Sequence, residues 1–182
     1  MENIISMIRD ANPERNNKTL LRRIFKLTEE FGEHAEAYLN VTSKNNGKGK
    51  SWDDVREEIA DTLIVAVDVA LTPANDGESG EAVENILKQL TYSDHSYDRY
   101  ELSMINASVA IGQLANSVSQ DRQDILPVVG LVETITNMAL TAMPDQANLD
   151  KTELLSNLEH LVDTKLDKWK ANRLTGMNAS DS

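Results

Sequence analysis

Glu29, Glu30, Glu33 and Glu36 fall in one short stretch of the chain, and Glu57, Glu58 and Asp61 fall in another. Residues three apart on a helix share a side, with Cβ atoms roughly 5–6 Å apart. On helices, Glu30 therefore pairs with Glu33, and Glu58 pairs with Asp61. A short-looped antiparallel helix pair would bring the two sets together. Four carboxylates at one spot repel. At an effective dielectric of about 20, each close pair costs on the order of 4 kcal/mol. Hard cations offset that repulsion: magnesium takes oxygen ligands in octahedral geometry and keeps waters or binds substrate phosphates. Two or more ions held this way can bind a triphosphate and activate a water for attack on phosphorus. The competing reading is a pair of solvated, Glu-rich helix faces. Two acid pairs on consecutive amphipathic helices, with a basic loop between them, favour the metal site.

The elements that must position these acids read as helices. A first short helix is expected from Glu2 to Arg9, and Asn12-Pro13 reads as the cap and first position of the next. That second helix runs to about Asn40, with Leu20, Ile24, Leu27, Phe31, Ala35 and Tyr38 forming its buried stripe. The segment TSKNNGKGK, Thr42 to Lys50, breaks it as a polar, basic, flexible loop. Ser51 caps a third helix reaching about Leu71, with Asp53 and Asp54 in its first turn, where acids suit the helix dipole. Asp68 falls inside the apolar run LIVAVDVAL, where an unpaired carboxylate would be costly. Further helices are expected at Glu81–Leu90, Tyr100–Ser119, Ile125–Met143 and Thr152–Arg173. The fold class is thus an all-α helical bundle. Its domain plan is a metal-binding half over 1–74, a linker over 75–80, a second helical half over 81–174 and a disordered tail over 175–182. A weak internal echo, Phe31-Gly32 with Ala35 against Ile111-Gly112 with Ala115, suggests that the halves are a pseudo-repeat.

Composition bounds the function. The chain has 182 residues, 40% hydrophobic and 26% charged, with a net charge of −12. Phosphate backbones repel such a chain, so nucleic acid is not an expected partner. No apolar stretch approaches the roughly 20 residues of a membrane span, so no membrane partner is expected. The start MENIISMIRDANPE lacks a basic region followed by an apolar core, and a cytoplasmic protein is the expectation. The absence of cysteine excludes disulfides and thiolate metal sites.

With these residues in view, Lys26-Leu27-Thr28-Glu29-Glu30-Phe31-Gly32-Glu33 resembles the K-L-x-E-E-x-x-E signature of MazG-like proteins. Glu57-Glu58-Ile59-Ala60-Asp61-Thr62-Leu63 resembles their second motif, E-E-x-x-D-x-L. The two motifs cover roughly residues 18–72 and belong to the all-α nucleoside triphosphate pyrophosphohydrolase superfamily. Lys165-Leu166-Asp167-Lys168, with Asn172-Arg173 displaced, resembles the closing K-L-x-K-N-x-x-R segment. The resemblance implies a magnesium-dependent enzyme, with manganese as a substitute. It would split a nucleoside or deoxynucleoside triphosphate into the monophosphate and pyrophosphate, cleaning the nucleotide pool. It implies Glu30, Glu33, Glu58 and Asp61 as metal ligands and Glu29 and Glu30 as catalytic, with attack by metal-activated water between the α- and β-phosphates. Lys26, Lys48, Lys50, Lys168 and Arg173 are the candidates to meet phosphate, and Asp68 or Trp52 to meet sugar or base. Association into a homodimer is left open.

The second half departs from the family pattern. The positions echoing Glu30 and Glu33 are Ala110 and Gln113, Gly130 echoes Asp61, and Pro127 stands near the echo of Glu58. One active site per chain, completed by a degenerate second half, is the expectation. A di-iron carboxylate bundle would need Glu-x-x-His on two helices. The residues three before His34, His95 and His160 are Phe31, Tyr92 and Asn157, so that reading fails. The alternative function is a non-catalytic acidic helical interaction protein, for example a mimic of DNA.

Overall fold

The chain is all-α. The computed structural model describes residues 1–11, 20–72, 77–89, 97–120 and 126–180, and of residues 77–81, 126–127 and 172–180 it describes the backbone alone. Its helices are α1 (Glu2–Ala11), α2 (Leu20–Thr42), α3 (Trp52–Ala70), α4 (Gly77–Gln89), α5 (Tyr100–Ser119), α6 (Leu126–Ala139) and α7 (Lys151–Ser180). Short 3₁₀ turns at Tyr97–Arg99 and Pro144–Gln146 precede α5 and α7. No helix among the described residues is long and apolar enough to cross a membrane.

α3 is the axis of the bundle. From Thr62 to Ala70 every residue is buried, as expected of a helix apolar on all sides. It packs against α2, α6, α7 and α1, while α5 closes the other side of α2 and α6. Its start is fixed by a capping box: Ser51 Oγ accepts from Asp54 N at 3.3 Å, and Asp54 Oδ2 accepts from Ser51 N at 2.8 Å. α7 begins the same way, with Asp150 Oδ1 accepting from Thr152 N and Glu153 N while Glu153 Oε2 accepts from Asp150 N at 2.8 Å. Leu154, Leu158, Val162 and Leu166 then form its buried stripe.

Several expectations move. The buried face of α2 is centred on Arg23, Ile24, Leu27, Glu30, Phe31, His34, Ala37 and Tyr38, and Ala35 lies at its edge. The loop between α2 and α3 is tied rather than loose: the Asn46 side chain accepts from Lys50 N at 3.0 Å and donates to Lys50 O. Gly49 takes φ 63° there, which only glycine adopts at no steric cost. The linker expected over Asn75–Gly80 ends sooner, because α4 begins at Gly77. The tail expected to be disordered from Thr175 is helical as far as Ser180. No proline interrupts it, and extending an existing helix needs only one new hydrogen bond per residue. The Asn12-Pro13 start lies outside the described residues.

Candidate metal centre

α2 and α3 run antiparallel with their facing residues in step. At one end Arg23 pairs with Asp68, and at the other the Tyr38 and Trp52 rings meet at 6.3 Å. Between them Glu30 faces Asp61 and Glu33 faces Glu58, the charges of Glu30 and Glu33 opposing the ionisation of Asp61 and Glu58. Arg23, Glu30 and Glu33 are spaced seven and then three residues apart, and so are Asp68, Asp61 and Glu58 in reverse. Both steps return a side chain to nearly the same side of its helix. The register that satisfies the buried Arg23–Asp68 pair therefore also stacks acid against acid, two turns away.

The acids converge. Glu30, Glu33 and Glu58 each offer a carboxylate oxygen, and these three atoms lie within 4.8 Å of one another. Glu30 is only 6% exposed, Glu58 is half-buried and Glu33 is open to solvent. Burial raises the Glu58 carboxyl above the usual range and the charge of Glu33 raises it further, while Lys165 and Lys50 pull it down. Burial likewise raises Asp61, against a hydrogen bond and charge from Lys165, with Glu30 and Glu57 adding to the rise.

Lysines ring the cluster. Lys26 Nζ lies 2.7 Å from Glu30 and 3.1 Å from Glu29, and Lys50 Nζ lies 3.3 Å from Asp54 and 3.9 Å from Glu58. Lys165 Nζ, reaching in from α7, lies 2.6 Å from Asp61 Oδ2 and 3.0 Å from Glu57. Partial burial disfavours the Lys26 and Lys165 charges, but their carboxylate partners outweigh it and hold both ammonium groups above their ordinary pKa.

The expected site residues divide accordingly. The structure gathers Glu30, Glu33 and Glu58, with Lys26 and Lys50 at the rim. Glu29 is exposed beside Lys26. Asp61 lies against the cluster but is directed at Lys165. Asp68 is not open to a sugar or base, being buried against Arg23. Lys48 pairs with Glu36, away from the three acids, and Lys168 is exposed. The side chain of Arg173 lies outside the described residues. Trp52 packs edge-on against Tyr97 at 5.8 Å, and Tyr38 stacks on Tyr100 at 5.0 Å, so an aromatic cluster walls one end of the hairpin. A cleft of about 270 Å³ between α3, α6 and α7, lined by Arg56, Ile59, Leu158 and His160 among others, contains none of the expected residues.

Sequence reasoning did not give Arg23 or Lys165 a role at the site. Each carried a signal. A lone Asp inside an apolar run demands a buried cation, and Arg23 stands one residue before Ile24 on the stripe. Lys165 stands beside Leu166 and three after Val162, on the inward register of α7.

The donor set suits a hard cation. All three donors are carboxylate oxygens, the ligand type of magnesium and manganese rather than zinc or copper. The three donor oxygens, already within 4.8 Å of one another, could close on an octahedral magnesium, which holds its oxygens at about 2.1 Å. His34 is not a competing ligand, since it is buried with Nε2 3.1 Å from Tyr100 Oη. No family model matches the chain, and neither a curated protein nor a solved structure does.

Proposed function

We propose that this protein is a magnesium-dependent nucleoside triphosphate pyrophosphohydrolase of the MazG-like kind, producing a nucleoside monophosphate and pyrophosphate and so clearing the nucleotide pool. One observation carries the reading: acids from two helices, Glu30 buried among them, bring carboxylate oxygens within 4.8 Å of one another. Glu30, Glu33 and Glu58 hold the ion, which manganese can replace. When bound, the metal supplies positive charge to the triphosphate and acidifies the attacking water. Lys26 and Lys50 stand at the rim, where each already meets an acid of the cluster and can turn to a phosphate as substrate arrives. Glu29, which shares Lys26 with Glu30, is the residue that the family resemblance assigns to orienting the attacking water. The likeness of the two motifs to the pyrophosphohydrolase signatures sets the reaction type, because hard-cation sites alone serve many phosphoryl chemistries.

A surface mimic of DNA accounts for less. Such a protein needs its acids outside, and Glu30 at 6% exposure offers little to a basic groove. The test is a panel of ribo- and deoxynucleoside triphosphates with magnesium, scored for pyrophosphate release, run beside Glu30→Gln. We expect release from at least one nucleotide and its loss in the variant. Turnover that survives Glu30→Gln removes the assignment.

A further inference from the structure

We propose that the ammonium of Lys165 is a built-in cation of the acidic centre: it takes the place that a second divalent ion would occupy, so that the resting site holds one ion and not two. The inference rests on the metal site proposed above and goes beyond it in assigning the number of ions and the residue that sets it.

Three observations converge on Lys165. The first is its register. It sits on the inward side of α7, next to buried Leu166 and one turn from buried Val162 and half-buried Trp169, with its side chain 14% exposed. A lysine that served only solubility would lie on the outer face. The second is its reach. Nζ bridges two acids of α3, Asp61 at 2.6 Å and Glu57 at 3.0 Å, from a helix over a hundred positions further on. The third is the division it makes among the carboxylates. The acids that expectation placed in one group of four appear as a group of three, Glu30, Glu33 and Glu58, and a fourth, Asp61, bound to the lysine.

Charge explains why such a device is needed. Glu30, Glu33, Glu58 and Asp61 bring four negative charges; Lys26 stands on Glu30 and Lys50 near Glu58, and Asp61, at the edge, is the acid that Lys165 meets. A paired-metal centre would meet that charge with a second ion about 3.5–4 Å from the first. Here an ammonium already stands on Asp61 and Glu57, the outer acids on which a second ion would draw. Lysine is suited to the place because its charge is a compact point on a flexible stem. It also ties the C-terminal helix to the catalytic hairpin, so that α7 is part of the centre and not merely packed behind it.

A plain structural strap is the competing explanation, and metal stoichiometry separates the two. Manganese alone, without nucleotide, is titrated into full-length protein and the free ion is read by electron paramagnetic resonance. The expected result is one Mn²⁺ per chain for the wild type and for Lys165→Arg, and two for Lys165→Met, which keeps the stem and removes the charge. A single ion of unchanged affinity in Lys165→Met, or two ions in the wild type, overturns the proposal. No bound ion in the wild type refutes the metal site itself, a different failure from either. Should Lys165→Met not fold, Lys165→Gln is titrated in its place with the same two outcomes, and Asp61→Asn tests the other partner. If Lys165 and not metal occupies Asp61, that variant still binds one ion within about tenfold of the wild-type affinity, and loss of the ion contradicts the assignment.

Discussion

The α2–α3 pair and the α5–α6 pair are both consecutive helices packed against each other, yet their charge differs sharply. α2 and α3 carry seven charged residues each, and α5 and α6 carry one each, Glu101 and Glu133. The polar groups that α5 and α6 do bury are neutral: Ser103, Thr136 and Asn137. Among the described residues, α5 and α6 pack together with no ion pair between them. Facing acids, as between α2 and α3, are therefore not needed for such packing. Burial and the facing acids raise the cost of ionising Glu58 and Asp61, and a site that accepts such a cost is a functional-site candidate.

The comparison breaks hardest at the one charged pair that is structural. Arg23→Met should leave the Asp68 carboxylate buried without its guanidinium and destabilise the protein by about 3–5 kcal/mol in urea melts. Adding Asp68→Leu should recover most of the loss and make the first helix pair resemble the second. If the single substitution is harmless, the pair does not set the register of the acids.

The next effect is acid sensitivity at His34. Burial lowers its pKa from 6.5 to about 4, so the unfolded chain takes up a proton in a range where the folded chain does not. Stability from this group is complete above pH 6.5 and is lost as pH falls toward 4, by about 3 kcal/mol. Glu58 and Asp61 act the other way: their raised folded pKa values favour the fold at low pH and weaken it as pH rises through them. The difference in stability between wild type and His34→Gln, measured from pH 7 to pH 4, isolates the histidine. A flat difference would contradict its burial as the neutral form.

Glu58→Gln sharpens the comparison from the functional side. Losing one of three donors should weaken magnesium binding by at least about 100-fold in calorimetry. The same change removes a charge that Glu33 opposes, so the metal-free variant should melt no lower than wild type at pH 7. A variant less stable without metal would mean that Glu58 is a structural acid. The smallest effect belongs to the outer face of α5, where Leu102, Ile105 and Val109 are exposed. Ile105→Glu should change stability by less than about 0.5 kcal/mol in the same melts and leave magnesium binding intact.

Periodicity made the helices legible. α5 spans Tyr100–Ser119 as its pattern required, and the Ser51 cap sets the start of α3. The ends of α4 and α7 were less readable, because Gly77, Gly80 and Gly176 are weak helix formers that read as breaks. The acids Glu30, Glu33 and Glu58 were legible because three-residue spacing is local. The partner of Asp61 was not, since Lys165 meets it only through the way α7 crosses α3, and spacing along one helix says nothing of that crossing. The same holds for Asp68: its need for a cation could be read from the apolar run, but not that Arg23 would meet it.

Calorimetric titration of magnesium into the nucleotide-free protein, with Glu30→Gln alongside, tests the central claim most directly. Convergence of α2 and α3 acids on a cation predicts saturable binding in the wild type that the substitution abolishes. Heats that never saturate in the wild type up to millimolar magnesium, or binding indifferent to Glu30, would contradict it.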